Sequence, residues 1–145
     1  MANAFDVAAY ILDRQGPMSA MKLQKLVYYA QAWSLVWDDA PLFANSIEAW
    51  ANGPVVRDLY EVHRGRFQVD APLFKPYAQG DLNETQIETI EAVLSFYAGH
   101  SAQWLSDQTH AEDPWRLARE GLADGERGGR EITLAALAEY YGSLD

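Results

Sequence analysis

The amino-acid sequence predicts a mainly α-helical protein, a single compact domain of about six to seven helices with at most a small β element of short strands. The chain has 145 residues, close to the usual size of one domain, and hydrophobic residues make up 49% of it. A chain of this length buries enough apolar surface to fold without disulfides or metals. Apolar residues recur at three- and four-residue spacing in most segments, and no segment repeats or forms a polar linker. Residues 1–145 are therefore predicted to form one domain.

The central helix is predicted from Ala20 to Trp37, with Ser19 as its cap. Leu26 belongs to an apolar stripe so broad that we expect this helix at the centre of the core. Trp33 falls on the same stripe and is assigned to the core by its spacing. The side expected to face water carries Lys22, Gln24 and Lys25.

The other helices are predicted from their capping residues and from turn signals. The predicted caps are Asn3, Asn83, Ser101, Asp113 and Thr133. Pro54 suits the first turn of a helix that runs to about His63, because its missing N–H costs nothing there. Short extended segments are predicted at Ile47–Trp50 and at 67–69, whereas residues 65–81 are otherwise expected to be irregular. The glycines at 125, 128 and 129 predict a flexible connection before the last helix.

The charge of the chain argues against nucleic-acid binding. It holds 11 basic and 21 acidic residues, a formal net charge of −10, which repels polyanions. Surfaces that bind DNA or RNA usually carry a basic stripe that displaces counterions from the phosphates. The nearest basic group is Arg57, His63, Arg64 and Arg66, and acidic residues interrupt it. We therefore expect no nucleic-acid partner.

The chain contains no cysteine, which fits the reducing cytoplasm. Residues 1–14 carry no basic segment ahead of an apolar run, so no signal peptide is predicted. Polar residues interrupt every apolar stretch before the roughly 18 residues that a membrane span needs. A cytoplasmic location without membrane contact is the resulting expectation.

No set of residues points to catalysis, so the chain is not expected to be an enzyme, and no cofactor or metal is predicted. His63, His100 and His110 are its only histidines. His110 and Glu112 would point to different faces of a helix, and no third metal ligand accompanies them. We expect these two residues to organise the turn before Asp113, which would cap the next helix.

Aromatic residues supply the candidate partner site. The chain has five tryptophans and eight tyrosines, and Trp, Tyr and Arg dominate the hot spots of protein interfaces. Chain order predicts that the end of the central helix meets the turn after the short strand at one edge. The predicted partner-binding residues are Trp37, Trp50, Asn52, Arg57 and Tyr60. The alternative is that these aromatic rings only close the core beneath a loop.

A series of short motifs, in order along nearly the whole chain, resembles the Panacea domain of SocA-like antitoxins, a phage-associated family. The motifs are residues 22–31 (KLQKLVYYAQ), 41–43 (PLF), 47–50 (IEAW), 53–56 (GPVV), Leu59-Tyr60, Leu105-Ser106, 109–115 (THAEDPW), Ala118-Arg119, 131–133 (EIT) and Tyr140-Tyr141. Arg57 departs from the family pattern, which often has Pro there. Residues 65–81 show little resemblance.

This resemblance implies a mainly helical domain without a known catalytic centre, acting as the antitoxin of a toxin–antitoxin pair. The implied partner is a cognate protein toxin encoded by an adjacent gene and neutralised by direct contact; delivery of the toxin to a cellular protease is a second route. An acidic antitoxin would be steered onto a basic toxin. Two alternatives remain: a nucleic-acid-binding regulator of phage or mobile-element origin, since short helices joined by tight turns can mimic a helix-turn-helix, and a hydrolase that uses His110 and Glu112.

Overall fold

Eight α-helices and five short strands form the fold in the computed structural model, which describes residues 1–145. The helices are α1 (Ala4–Gln15), α2 (Ala20–Trp37), α3 (Arg57–His63), α4 (Ala71–Phe74), α5 (Glu84–Tyr97), α6 (Ala102–His110), α7 (Asp113–Ala118) and α8 (Leu134–Leu144). The strands are β1 (Met18–Ser19), β2 (Ile47–Trp50), β3 (Gly53–Val56), β4 (Gln68–Val69) and β5 (Glu131–Ile132). The mainly α-helical prediction is confirmed. The additional helix is the single turn α4, which lies inside the stretch predicted to be irregular and is followed by a 3-10 turn at Lys75–Tyr77.

Helix α2 forms the centre of the core, as its apolar stripe predicts. Leu26, Tyr28 and Tyr29 have no exposed surface, and α1, α5, α6, α8 and β3 all pack against this helix. A helix surrounded on most sides by other elements is expected to be apolar over most of its circumference. The sequence of α2 meets that requirement, because most of its buried residues are leucine, valine, alanine or tyrosine.

The prediction that Gln24 and Lys25 of α2 face water is wrong, because each is only 2% exposed. Strand β3 covers this side of the helix. The Gln24 side chain accepts a hydrogen bond from the Val56 N–H at 2.8 Å and donates one to the Val56 carbonyl at 3.2 Å. The Gln24 amide thus pairs with β3 as a neighbouring strand would, which satisfies polar groups that burial would otherwise leave unbonded.

The three-stranded sheet has the order β3-β2-β5, and both pairs are antiparallel. The predicted strand at Ile47–Trp50 is therefore confirmed. Pro54 was predicted to begin a helix. This prediction is wrong, because Pro54 lies in β3, where it pairs with Ala49 of β2, and helix α3 begins only at Arg57. Proline is tolerated in β3 because this strand lies at the edge of the sheet, where a missing N–H is least costly.

Side-chain caps begin most of the helices as predicted. Asn3, Ser19, Asn83, Ser101 and Thr133 each accept a hydrogen bond from the backbone N–H three residues later. The predicted cap at Asp113 is wrong, since this residue is already the first of α7 and its carboxylate accepts a hydrogen bond from Arg116 at 2.6 Å instead. No helix is long and apolar enough to cross a bilayer.

Candidate partner-binding site

A cavity of about 730 Å³ opens between the first half of α2, the β2–β3 hairpin, helix α3 and the loop at residues 127–129. We call it the basic cavity, because four cationic side chains and only two carboxylates line it in a chain that is acidic overall. The charged lining residues are Lys25, Arg57, Arg64, Arg127, Glu48 and Glu61. Cavities of this size are typical of binding sites.

Four of the five predicted partner-binding residues line the basic cavity together. They are Trp50, Asn52, Arg57 and Tyr60, from the hairpin and the start of α3. Trp37 lies elsewhere, at the last residue of α2, with its ring stacked on Trp33 at 5.1 Å. It stands about 18 Å along the helix from Lys25, at 1.5 Å per residue. The expectation of one shared edge is wrong for Trp37, because the hairpin returns to the first half of α2. Partner binding by these residues stays a prediction.

Two aromatic rings form one wall of the cavity. The rings of Trp50 and Tyr60 meet edge to face with their centres 4.7 Å apart, and both residues are half-buried. The Trp50 indole N–H donates to a Glu48 carboxylate oxygen at 2.8 Å, while the Trp50 carbonyl accepts from the Trp115 indole at 2.8 Å. Trp50 is therefore fixed from both sides and presents a rigid apolar face to the cavity.

Arg57 spans the rim of the cavity between two carboxylates. Its guanidinium lies 3.7 Å from Glu48 and 3.5 Å from Glu61, and its side chain is 58% exposed. Both distances exceed the 2.7–2.9 Å of a charge-assisted hydrogen bond. These contacts are loose pairs screened by water and contribute little to stability. The donors of Arg57 remain accessible from the cavity.

Lys25 is the residue that the sequence analysis missed. Its ammonium makes one hydrogen bond, to the Pro54 carbonyl at 3.2 Å, and no carboxylate lies within ion-pair distance. Burial lowers the pKa of Lys25 to about 8, because desolvation disfavours the charged form. A signal for this burial was present, since Lys25 lies three and four residues before the buried Tyr28 and Tyr29 and so shares their side of the helix.

Gly53 and His63 form part of the surroundings of Lys25. Gly53 has φ = +123°, and a Cβ there would lie 2.5 Å from Cε of Lys25. Only glycine permits this approach of the hairpin to the lysine. Nε2 of the His63 ring lies 3.0 Å from the side-chain amide nitrogen of Gln24. Burial lowers the pKa of His63. His63 thus faces the cavity in a setting that favours its neutral form.

The remaining wall is the loop at residues 127–129, which the glycines predicted to be flexible. In the structure this loop packs against β2, and its flexibility stays a prediction. The guanidinium of Arg119, a buried residue, donates to the carbonyls of Ala49, Ala123 and Glu126. A Cβ at Gly128 would lie 2.7 Å from Leu122, and one at Gly129 would lie 3.1 Å from Glu48. The glycines allow close packing here.

His110 and Glu112 have separate environments. The Glu112 carboxylate is buried and accepts hydrogen bonds from the hydroxyls of Tyr29 and Tyr141, each at 2.7 Å. It therefore joins α2 to α8. The ring of His110 stacks on Trp115 with centres 4.0 Å apart. No group of three or more His, Asp or Glu side chains is placed to hold a metal ion.

Comparisons with known proteins concern the whole chain, including the residues that line the basic cavity. No curated protein and no solved structure matches the chain. One family model matches residues 23–116, about two thirds of the chain, and its description is "Antitoxin SocA-like, Panacea domain". The matched region includes the Lys25 floor, the hairpin and α3, whereas the wall at residues 127–129 lies outside it. With a match over this share of its length, the chain belongs to the SocA-like antitoxin family that carries the Panacea domain.

Proposed function

We propose that the chain is an antitoxin that neutralises a cognate protein toxin by direct contact and catalyses no reaction itself. The toxin docks at the basic cavity and its rim, and an adjacent gene encodes it. The observation that carries this proposal is the convergence of Trp50, Asn52, Arg57 and Tyr60 on one cavity of a chain from an antitoxin family.

The physical character of the rim supports docking there. Large aromatic residues and arginine account for most of the binding energy at protein interfaces. Trp50 and Tyr60 are already held in place by their neighbours, so little side-chain freedom is lost when a partner binds. Arg57 is exposed and only loosely paired, so it can exchange its present contacts for a partner group.

A growth-rescue assay tests the proposal with a matched pair of arginines. Arg57→Glu is compared with Arg14→Glu, since both side chains are 58% exposed and each pairs with an exposed carboxylate, Glu61 and Glu91 respectively. The chain is co-expressed with the toxic product of its neighbouring gene. We expect Arg57→Glu to lose rescue and pull-down of the toxin, while Arg14→Glu behaves as the parent and both variants melt within a few degrees of it. Full rescue by Arg57→Glu together with Tyr60→Ala would contradict docking at this rim.

The fate of the toxin separates two modes of neutralisation. Contact alone leaves the toxin present but inactive, whereas delivery to a cellular protease removes it. The half-life of an epitope-tagged toxin after a block of protein synthesis, measured with and without the antitoxin, distinguishes them. An unchanged half-life during full growth rescue identifies contact alone, and a shortened half-life identifies delivery.

A further inference from the structure

We propose that the basic cavity accepts a carboxylate of its protein partner, carried on an acidic segment that enters between Lys25 at the floor and Arg57 at the rim. This inference rests on the proposed function, because it assigns the chemistry of the toxin segment that docks there. It differs from the expectation that overall charge steers this acidic chain onto a basic toxin, because the charge inside the cavity has the opposite sign.

The local charge of the cavity is opposite to that of the chain. The chain as a whole has 21 acidic against 11 basic residues, yet the cavity lining has four cations against two carboxylates. A concave surface with an excess of one sign of charge concentrates its field and attracts the opposite sign. A lysine or arginine of a partner would be repelled here, and an aspartate or glutamate would be attracted.

Lys25 provides a buried cation that this chain does not neutralise. The ammonium has three N–H donors, and the Pro54 carbonyl is the one acceptor that bonds to it. A buried charge is normally paired, because an unpaired one is costly to remove from water. With a pKa of about 8 the ammonium remains mostly protonated at pH 7. A carboxylate from outside the chain would supply the missing partner.

Arg57 completes the site at the opposite end. Its distances to Glu48 and Glu61 leave its planar fork without a close bidentate partner. Arginine binds carboxylates best through two parallel N–H···O bonds at 2.7–2.9 Å. The apolar face of Trp50, which lines the same cavity as these two cations, suits the aliphatic part of a peptide segment better than a small hydrated anion such as phosphate.

Nuclear magnetic resonance of the full chain tests the inference without a toxin. The probes are a blocked tetraglutamate peptide, the blocked tetraglutamine peptide, tetraglutamine with a free carboxyl terminus, inorganic phosphate and a short single-stranded DNA. The readout is the indole N–H signal of Trp50, which Trp50→Phe assigns. We expect blocked tetraglutamate to shift this signal in a saturable way and blocked tetraglutamine to leave it unchanged. A shift by the free-terminus peptide would show that a chain end serves as well as a side chain.

Matched variants locate the carboxylate. Lys25→Met and Arg57→Gln are each expected to weaken tetraglutamate binding about tenfold, the loss of one charge-assisted hydrogen bond. Arg14→Gln is expected to bind as the parent does. Arg57→Gln removes only an exposed side chain, so it keeps the test valid if Lys25→Met alters the fold.

Three results would overturn the inference: no shift with tetraglutamate, an equal shift with blocked tetraglutamine, or tighter binding of phosphate or DNA than of the peptide. If these peptides fail while Arg57→Glu still abolishes growth rescue, the proposed docking site stands and the carboxylate inference falls. If tetraglutamate binds as expected while Arg57→Glu and Tyr60→Ala rescue growth normally, the carboxylate site stands and toxin docking must be sought elsewhere.

Discussion

Replacement of Lys25 by methionine should change the pH dependence of folding stability. Burial lowers the pKa of Lys25 from 10.5 to about 8. At 1.36 kcal/mol for each tenfold change in proton affinity, the buried ammonium opposes folding by roughly 3 kcal/mol at pH 7. Methionine has a similar unbranched shape and no charge, but it leaves the Pro54 carbonyl without its donor, at a cost of about 2 kcal/mol. We therefore expect Lys25→Met to be more stable than the parent by about 1 kcal/mol at pH 7.

The sign of this difference should reverse as the pH rises. Between pH 8 and 10.5 the unfolded chain keeps the Lys25 proton that the folded chain has released, so the stability of the parent rises with pH. By pH 9.5 the parent gains about 2 kcal/mol from this source, whereas Lys25→Met gains nothing. Burial also raises the pKa of several tyrosines in the folded chain, so near pH 10 and above they ionise only in the unfolded chain. This lowers stability at those pH values, and it does so equally in both proteins.

Urea unfolding followed by tryptophan fluorescence at pH 7, 8, 9 and 9.5 measures the effect. The two stability curves should cross, with the variant above the parent at pH 7 and below it at pH 9.5. Lys75→Met, which removes an exposed lysine, is the matched control and should run parallel to the parent. Parallel curves for parent and Lys25→Met would refute the conclusion that Lys25 is a desolvated, unpaired cation.

Four further outcomes follow from the fold and the cavity. Leu26→Asp places a charge at the centre of the core and should lower the free energy of unfolding by several kcal/mol in urea titrations; a parent-like midpoint would show that the buried face of α2 is misassigned. Glu112→Ala leaves two buried tyrosine hydroxyls without their acceptor and should cost about 3 kcal/mol in the same assay, with a loss below 1 kcal/mol counting against the network. Trp37→Ala should leave growth rescue intact, because this residue lies outside the basic cavity; loss of rescue by a folded variant would place the docking site at the other end of α2. Gel-shift assays at low salt should show no retarded DNA or RNA, and salt-sensitive retardation would favour the nucleic-acid-binding alternative.

Local signals made most of the fold predictable. Side-chain caps and helical spacing depend on residues within one or two turns, and they located α2 and the starts of most other helices. The start of α3 was predicted wrongly because Pro54 is compatible with both a helix start and an edge strand. Pairing of Pro54 with Ala49 decides between them, and such pairing is not encoded in local spacing.

The candidate site was predictable only where its residues are close in sequence. Trp50 to Tyr60 come together because the hairpin leads directly into α3. The position of Trp37 depends on the direction in which residues 38–46 return, which no local pattern specifies. Lys25 and Glu112 are charged residues that the usual rule places in water. Their burial follows from β3 covering one side of α2 and from two tyrosines supplying hydroxyls, both long-range contacts.

The loop at residues 127–129 lines the basic cavity but contributes no residue to the buried core. Arg119 links β2 to the residues just before this loop through the carbonyl oxygens of Ala49, Ala123 and Glu126, so the link does not require particular side chains at those positions. The wall also follows the segment that the family model matches. Arg127 can therefore be exchanged while the lysine floor and the hairpin stay as they are. Under the proposed docking at the basic cavity, a graft of this loop from another antitoxin of the family should change which toxin is bound, while the core stays the same.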